Sequence, residues 1–307
     1  MLPKRLHGRR LALRRAGPGH QWGPLRDGGG GGANGNYGTV FKITTSGTLT
    51  TLHSFDNTDG TSPYAGLVQA TDGNLYGTTY LGGANGYGTL FKITTSGTLT
   101  TLHSFCPLYG CPDGASLYAG LVQATNGDFY GTTTNGGSDF GTVFSLSMGL
   151  KAFLEIQSTS GKEGAKVGIL GQGFSSSSVV KFGGTKATTI VLSGTTYITA
   201  TVPAGALTGS VTVTTGSTTL TSTKTFKVLP TITSFTPSSG PVGTSVTITG
   251  TGLDQTTKVT FDGKSATFTV IKDTEVTADV PTGAVTGKIV VTTKGGSATS
   301  ATSFTVN

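Results

Sequence analysis

The stretch that decides the fold is YGTVFKITTSGTLTTLHSF, Tyr37 to Phe55, because it returns as Tyr87 to Phe105 with 18 of 19 positions identical. A second element, YAGLVQATDGNLYGTT from Tyr64, returns as YAGLVQATNGDFYGTT from Tyr118. The period is 50 residues from Tyr37 to Tyr87 and 53 from Tyr87 to Phe140. Self-similarity at that spacing marks a repeat architecture. GLVQAT and NLYGTT flank Asp72-Gly73, with Asn126-Gly127 in the next copy, while GTVFKIT and TLTTLHSF flank Ser46-Gly47. Both pairs are hairpin-turn signals, so each unit predicts four antiparallel strands, the content of one β-propeller blade. Apolar residues fall on both faces of these strands (Val40 beside Phe41, Leu49 beside Leu52 and Phe55). A sheet packed between two neighbours needs that pattern.

The repeats do not fill a ring. From residue 33 there is half a unit, one whole unit and a last unit ending in GTVFSLSMGL. Closed propellers use about four to eight blades. The expectation is a partial propeller-like array, whose open strand edges offer a route to self-association.

Composition agrees with an all-β chain. Glycine (50) and threonine (60) make up more than a third of the 307 residues, and charged residues only 11%. Glycine weakens helices and threonine favours strands. Of the net charge of +7, residues 1–32 hold +6 and the remainder +1. Every arginine and the sole tryptophan, Trp22, lie within the first 26 residues, and nothing upstream of Gly32 resembles GLVQAT. Residues 1–32 are therefore expected to be a basic low-complexity arm, disordered or mistranslated, the latter meaning an upstream unit read in the wrong frame. Arg9, Arg10, Arg14 and Arg15 interrupt any signal-peptide apolar core, and no apolar run reaches the ~20 residues that span a bilayer. The leader of a secreted protein would have been lost by truncation.

A different pair of repeats follows. GAKVGILGQGFSSSSVVKFGG from Gly164 aligns with GTSVTITGTGLDQTTKVTFDG from Gly243, and ATVPAGALTGSVTVTT from Ala200 with ADVPTGAVTGKIVVTT from Ala278. About seven threonine- and valine-rich strands per copy, with frequent turn signals, predict two small immunoglobulin-like β-sandwiches. The expected domains are 1–32, 33–150, 151–229 and 230–307, with Leu229-Pro230 at the last join.

These motifs resemble known families. Residues 33–150 resemble the GloVer tandem repeats of bacterial surface and secreted proteins, of choice-of-anchor type, through GLVQATDGNLYGTT and YGTVFKIT…GTLTTLHSF. Residues 151–307 resemble IPT/TIG domains, most clearly through PTITSFTPSSGPVGTSVTITGTGL in the second copy. The first copy departs at Ser158-Thr159-Ser160, where the second has Thr236 to Gly240. The resemblance implies spacer and interaction modules outside the cell, with an unidentified extracellular protein or glycan as partner and no chemistry to transfer.

Candidate chemistry points the same way. His53 and His103 occupy the same place in TLHSF, so they read as framework residues. Asp59, Asp72 and Asp113 each precede glycine, the place of a turn former. Glycosidase work needs paired carboxylates, yet glutamate occurs only at Glu155, Glu163 and Glu275. Asp56-Asn57-Thr58-Asp59-Gly60 lacks the alternating ligands and distal glutamate of a calcium loop. The runs Gly28–Gly32 and Gly82-Gly83 precede no helix and are not phosphate loops. Cys106 and Cys111, in the insertion CPLYGC, suit a loop-closing disulfide in an oxidising compartment. That insertion, residues 106–116, is the most individual loop and a candidate ligand contact. The sandwiches carry no arginine for base reading, so nucleic acid is not an expected partner. No enzyme, cofactor or metal site is expected. The alternative is an accessory region of a secreted enzyme whose catalytic domain lies upstream.

Overall fold

The computed structural model describes residues 14–16, 20–25, 31–44 and 46–307, with side chains from residue 31 onward. No described residue is helical. The chain divides into two compact units, Met1–Lys151 and Ala152–Asn307.

In the first unit the strands form antiparallel meanders in chain order. One sheet holds β1 (Arg14–Ala16), β2 (His20–Leu25), β3 (Thr39–Thr44) and β4 (Leu49–Ser54). The next holds β5 (Val68–Gln69), β6 (Leu75–Thr78), β7 (Thr89–Ile93) and β8 (Leu99–Ser104). The last has three strands, β9 (Val122–Gln123), β10 (Phe129–Thr132) and β11 (Val143–Leu146). The four-stranded unit read from the sequence is thus present whole in β5–β8.

Of residues 1–30, the structure describes Arg14–Ala16 and His20–Leu25 as strands. β2 pairs with β3, Trp22 opposite Lys42 and Gly23 opposite Phe41, just as Tyr76 stands opposite Lys92 and Gly77 opposite Phe91 in the next sheet. A strand edge left open by β3 is an unpaired row of donors and acceptors, and these residues fill it. The rest of residues 1–30 lies outside the described residues.

Period-two alternation places the cores. In the middle sheet Leu75, Phe91 and Ile93 face one way and meet Val40, Phe55 and Leu67. Tyr76 and Leu90 face the other way and meet Phe105, Leu117, Leu121 and Phe129. Each core is therefore shared by two successive sheets. The outer strand is less buried than the sequence pattern implies: Leu49 is 47% exposed, because β4 ends its sheet and alternates with threonine. Gly77 is required by packing, since a Cβ there would lie 2.6 Å from the Phe91 ring and 2.5 Å from Leu67. Gly131 makes the same room for Phe144.

The second unit holds two sandwiches with identical strand orders. The first pairs a sheet of 155–156, 166–170, 197–201 and 190–193 with one of 160–161, 218–228, 209–215, 179–182 and 185–186. The second repeats this with 231–236, 245–251, 275–279 and 268–272 against 239–240, 297–306, 287–293, 256–261 and 264–266. Each encloses its own core, around Ile169, Phe182 and Phe226 in one and Ile248, Phe261 and Phe304 in the other.

Candidate functional site

Repetition brings three tyrosines together. The segments Tyr64–Leu67 and Tyr118–Leu121 run beside one another, since Thr78 Oγ1 donates to Ala119 O (3.2 Å) and Gly120 lies against Gly66 O. The following turns are tied as well, Thr71 N donating to Gln123 Oε1 at 3.1 Å. Tyr64 and Tyr118 consequently meet with ring centroids 5.4 Å apart. Tyr80 joins them, 5.4 Å from Tyr64 and 6.2 Å from Tyr118, the latter at an interplanar angle of 90°. Tyr64 and Tyr80 are half-buried while Tyr118 is 52% exposed. In a tilted and edge-to-face cluster of this kind the rings are held by mutual contact.

The histidines acquire partners that the sequence reading did not assign. His53 Nε2 lies 2.6 Å from Asp59 Oδ2 and His103 Nε2 lies 2.8 Å from Asp113 Oδ2. Each imidazole also stands edge-on to the phenylalanine two residues on, Phe55 or Phe105. The same aspartates serve the next unit. Thr89 Oγ1 donates to Asp59 O, and the adjoining Gly60, at φ 131°, lies so close to Thr79 that a Cβ would clash. Asp113, Gly114, Thr133 and Thr142 reproduce the arrangement. The Asp-Gly pair is a latch between consecutive sheets, and its recurrence in both units supports the framework reading. Asp72 does work in its turn, accepting from Asn74 N and from Tyr76 OH (3.0 Å). Burial raises its pKa, but these donors and Lys92 outweigh that, so the carboxyl lies below its usual value. Burial and the Asp72 partner push the Tyr76 phenol up to about 12.

The calcium-like loop is occupied by its own chain. Asp56 Oδ1 accepts from Thr58 N and Oγ1, and Asp59 Oδ1 accepts from Asp56 N. Among the described residues no group of three histidines, cysteines or carboxylates is placed to hold a metal. Cys106 and Cys111 are bridged, with Cα atoms 4.2 Å apart, and hold the loop that exposes Leu108 and Tyr109. The glutamates are scattered: Glu155 pairs with Lys224 and Glu275 with Lys272. Glu163 accepts from Gly205 N at 2.7 Å, and the Asp273 carboxyl of the other sandwich is its neighbour. Burial first, then that carboxyl neighbour, push its pKa up to about 7. Arg14 and Arg15 fall in β1, while Arg9 and Arg10 lie outside the described residues.

The family model of the Gloeobacter/Verrucomicrobia repeat matches residues 13–197, and the IPT/TIG domain model matches residues 230–306. No curated protein matches the chain. Among solved structures, the chain is similar to SGBP-B from a complex xyloglucan utilization locus in Bacteroides uniformis, at 20% identity and a TM-score of 0.26, over 50% of this chain and 48% of that one. A surface glycan-binding protein from Prevotella bryantii matches at 20% identity and a TM-score of 0.35, over 50% and 41%. The plexin A4 extracellular region matches at 20% and 0.27, over 50% and 18%. The matched part is less than half of each of those chains.

Proposed function

Because the chain belongs to the Gloeobacter/Verrucomicrobia repeat family and carries an IPT/TIG domain, we propose that it is a non-catalytic binding and display protein of the cell surface or extracellular space. The repeat array presents the ligand face and the sandwiches act as spacer or docking modules. The observation that carries this reading is the cluster of Tyr64, Tyr80 and Tyr118. Tyrosine offers a large contact face at low entropic cost, and its hydroxyl can donate or accept at the rim. A neutral glycan is the matching ligand, since sugar C–H faces stack on aromatic rings while sugar hydroxyls bond to the polar tips. The Cys106–Cys111 bridge suits an oxidising compartment. β11 ends a three-stranded sheet with Val143 79% exposed, which favours self-association along that edge.

Retardation in native gels containing neutral polysaccharides tests the glycan reading. The intact chain is expected to be retarded by at least one of them, and Tyr118→Ala to lose most of that retardation while its melting curve stays in place. Equal migration of both proteins with and without every polysaccharide would reject it.

A further inference from the structure

The amino acids of residues 8–28 constrain the codons that encode them. An amino acid fixes most of its codon, so a protein sequence constrains what the same bases say one position on. Trp22 has the single codon TGG, and the G that opens the Gly23 codon makes the shifted triplet GGG, glycine. Gln21 followed by the T of Trp22 gives asparagine or serine, and His20 followed by the C of Gln21 gives threonine or isoleucine. Within residues 8–28 the four least ambiguous shifted triplets are these three and Asp27 with the G of Gly28, which reads threonine or methionine. Together they spell Thr-Asn-Gly and then threonine five places after the glycine. That is the spacing of Thr125-Asn126-Gly127 to Thr132. The forced glycine falls where the hairpin demands positive φ, at 82° for Gly73 and 97° for Gly127.

The remaining shifted triplets agree. With arginine and leucine written in their four-codon boxes, all 20 from Gly8/Arg9 to Asp27/Gly28 admit DGAS(P/L)YAGLVQATNGDLYGT. The two visible copies are DGTSPYAGLVQATDGNLYGT at Asp59–Thr78 and DGASLYAGLVQATNGDFYGT at Asp113–Thr132. The return to frame is also located. From the second base of Gly28 to the end of Gly32 there are 14 bases, one short of the five codons that separate Thr78 from Ala84 in the next unit. One further base there restores both frame and spacing, and Ala33-Asn34-Gly35 then aligns with Ala84-Asn85-Gly86.

We infer that the codons of residues 8–28 carry a repeat copy one base out of frame, and that the natural protein is translated in the restored frame. The natural first unit then owns its own Asp-Gly latch, its own Asn-Gly hairpin and a tyrosine equivalent to Tyr64 and Tyr118. This stands independently of the glycan reading and adds a member to the tyrosine row.

Two measurements on the source organism decide it. Resequencing the gene is expected to add one base within the codons of Gly28–Gly32. It is also expected to show GCT for Ala16, GGT for Gly17, CCA for Pro18, GGC for Gly19, CAC for His20 and CAA for Gln21. Other wobble bases at these codons would overturn the inference. Mass spectrometry of the native protein should find YAGLVQATNGDLYGT within a tryptic peptide. Finding the peptide Ala16–Arg26, AGPGHQWGPLR, would overturn it even with the wobble bases as expected.

Discussion

The two halves of this chain both repeat a β unit, yet they close their cores differently. In the array, Phe91 and Leu75 of one sheet pack with Val40 and Phe55 of the sheet before, so no sheet owns a core. In the sandwich pair, Phe182 and Phe226 belong wholly to one module and Phe261 and Phe304 to the other. The joint between sandwiches includes polar contacts, with Thr208 N donating to Gln255 Oε1 and the Glu163 carboxyl neighbouring that of Asp273. A linear array of this kind gains stability from each neighbour interface, whereas each sandwich can stand on its own contacts.

The largest test of that contrast is Phe91→Ala. It empties a site buried to 0% exposure at a shared interface, at a cost of about 3–5 kcal/mol. Calorimetry should show the array transition lowered as a whole while the sandwich transitions stay in place. Phe261→Ala should cost a similar amount, about 3–5 kcal/mol, and shift one sandwich alone. If Phe91→Ala lowers every transition together, the two halves are not energetically separate.

Asp59→Ala probes the latch. It removes the His53 partner and the Asp56 N acceptor, a loss of about 1.5–3 kcal/mol for charge-assisted bonds in a partly buried place. Urea unfolding followed by intrinsic tyrosine fluorescence should show a lower midpoint, with His53→Ala adding little further in the double variant. Full additivity of the two substitutions would mean that the pair is not coupled.

Much of this was legible in the sequence. The alternation of Val40 with Phe41 and of Leu75 with Tyr76 is a period-two pattern with both faces apolar, and turns such as Asp72-Gly73 are local signals. The latch was not legible in the same way. His53 shows only as a recurring framework residue and Asp59 as a turn former, and only the return of the chain after β4 brings the ring and the carboxylate together. The Tyr64, Tyr80 and Tyr118 cluster depends on two units lying side by side, and Glu163 with Asp273 on two modules meeting. Such pairings are set by tertiary contact, for which a single sequence carries no periodic trace. The repeat itself was the signal available for the tyrosines, since one residue at the same place in successive units becomes a row once the units stack.

The Cys106–Cys111 bridge is a smaller, local test. It closes a loop with a sequence separation of 5, so reduction should lower array stability by at most ~2 kcal/mol in the chain-entropy model. Thermal unfolding with and without dithiothreitol should move the array transition slightly and leave the sandwiches in place. A large shift in the sandwich transitions would contradict the separation.

The smallest effect concerns pH, where the two halves should differ in sign. In the array, Asp72 has its pKa below the usual value, so its contribution is present above about 4 and is lost as pH falls through the folded value. At the sandwich joint the sign is reversed. Glu163 is raised from 4.5 to about 7, with Asp273 and Asp254 as its carboxyl neighbours, so the folded joint holds a proton that the unfolded chain has released. Its contribution is full below pH 4.5 and declines as pH rises to about 7, beyond which it stays flat. Solvent screening at this half-exposed joint keeps the slope shallow. Glu163→Gln keeps an acceptor for Gly205 N and gains an amide donor toward Asp273 without a titrating proton. The sandwich melting temperature of that variant should therefore lose its decline between pH 4.5 and 7 and exceed the parent's at pH 8. An unchanged slope in Glu163→Gln would place the proton elsewhere and remove the opposition between the two halves.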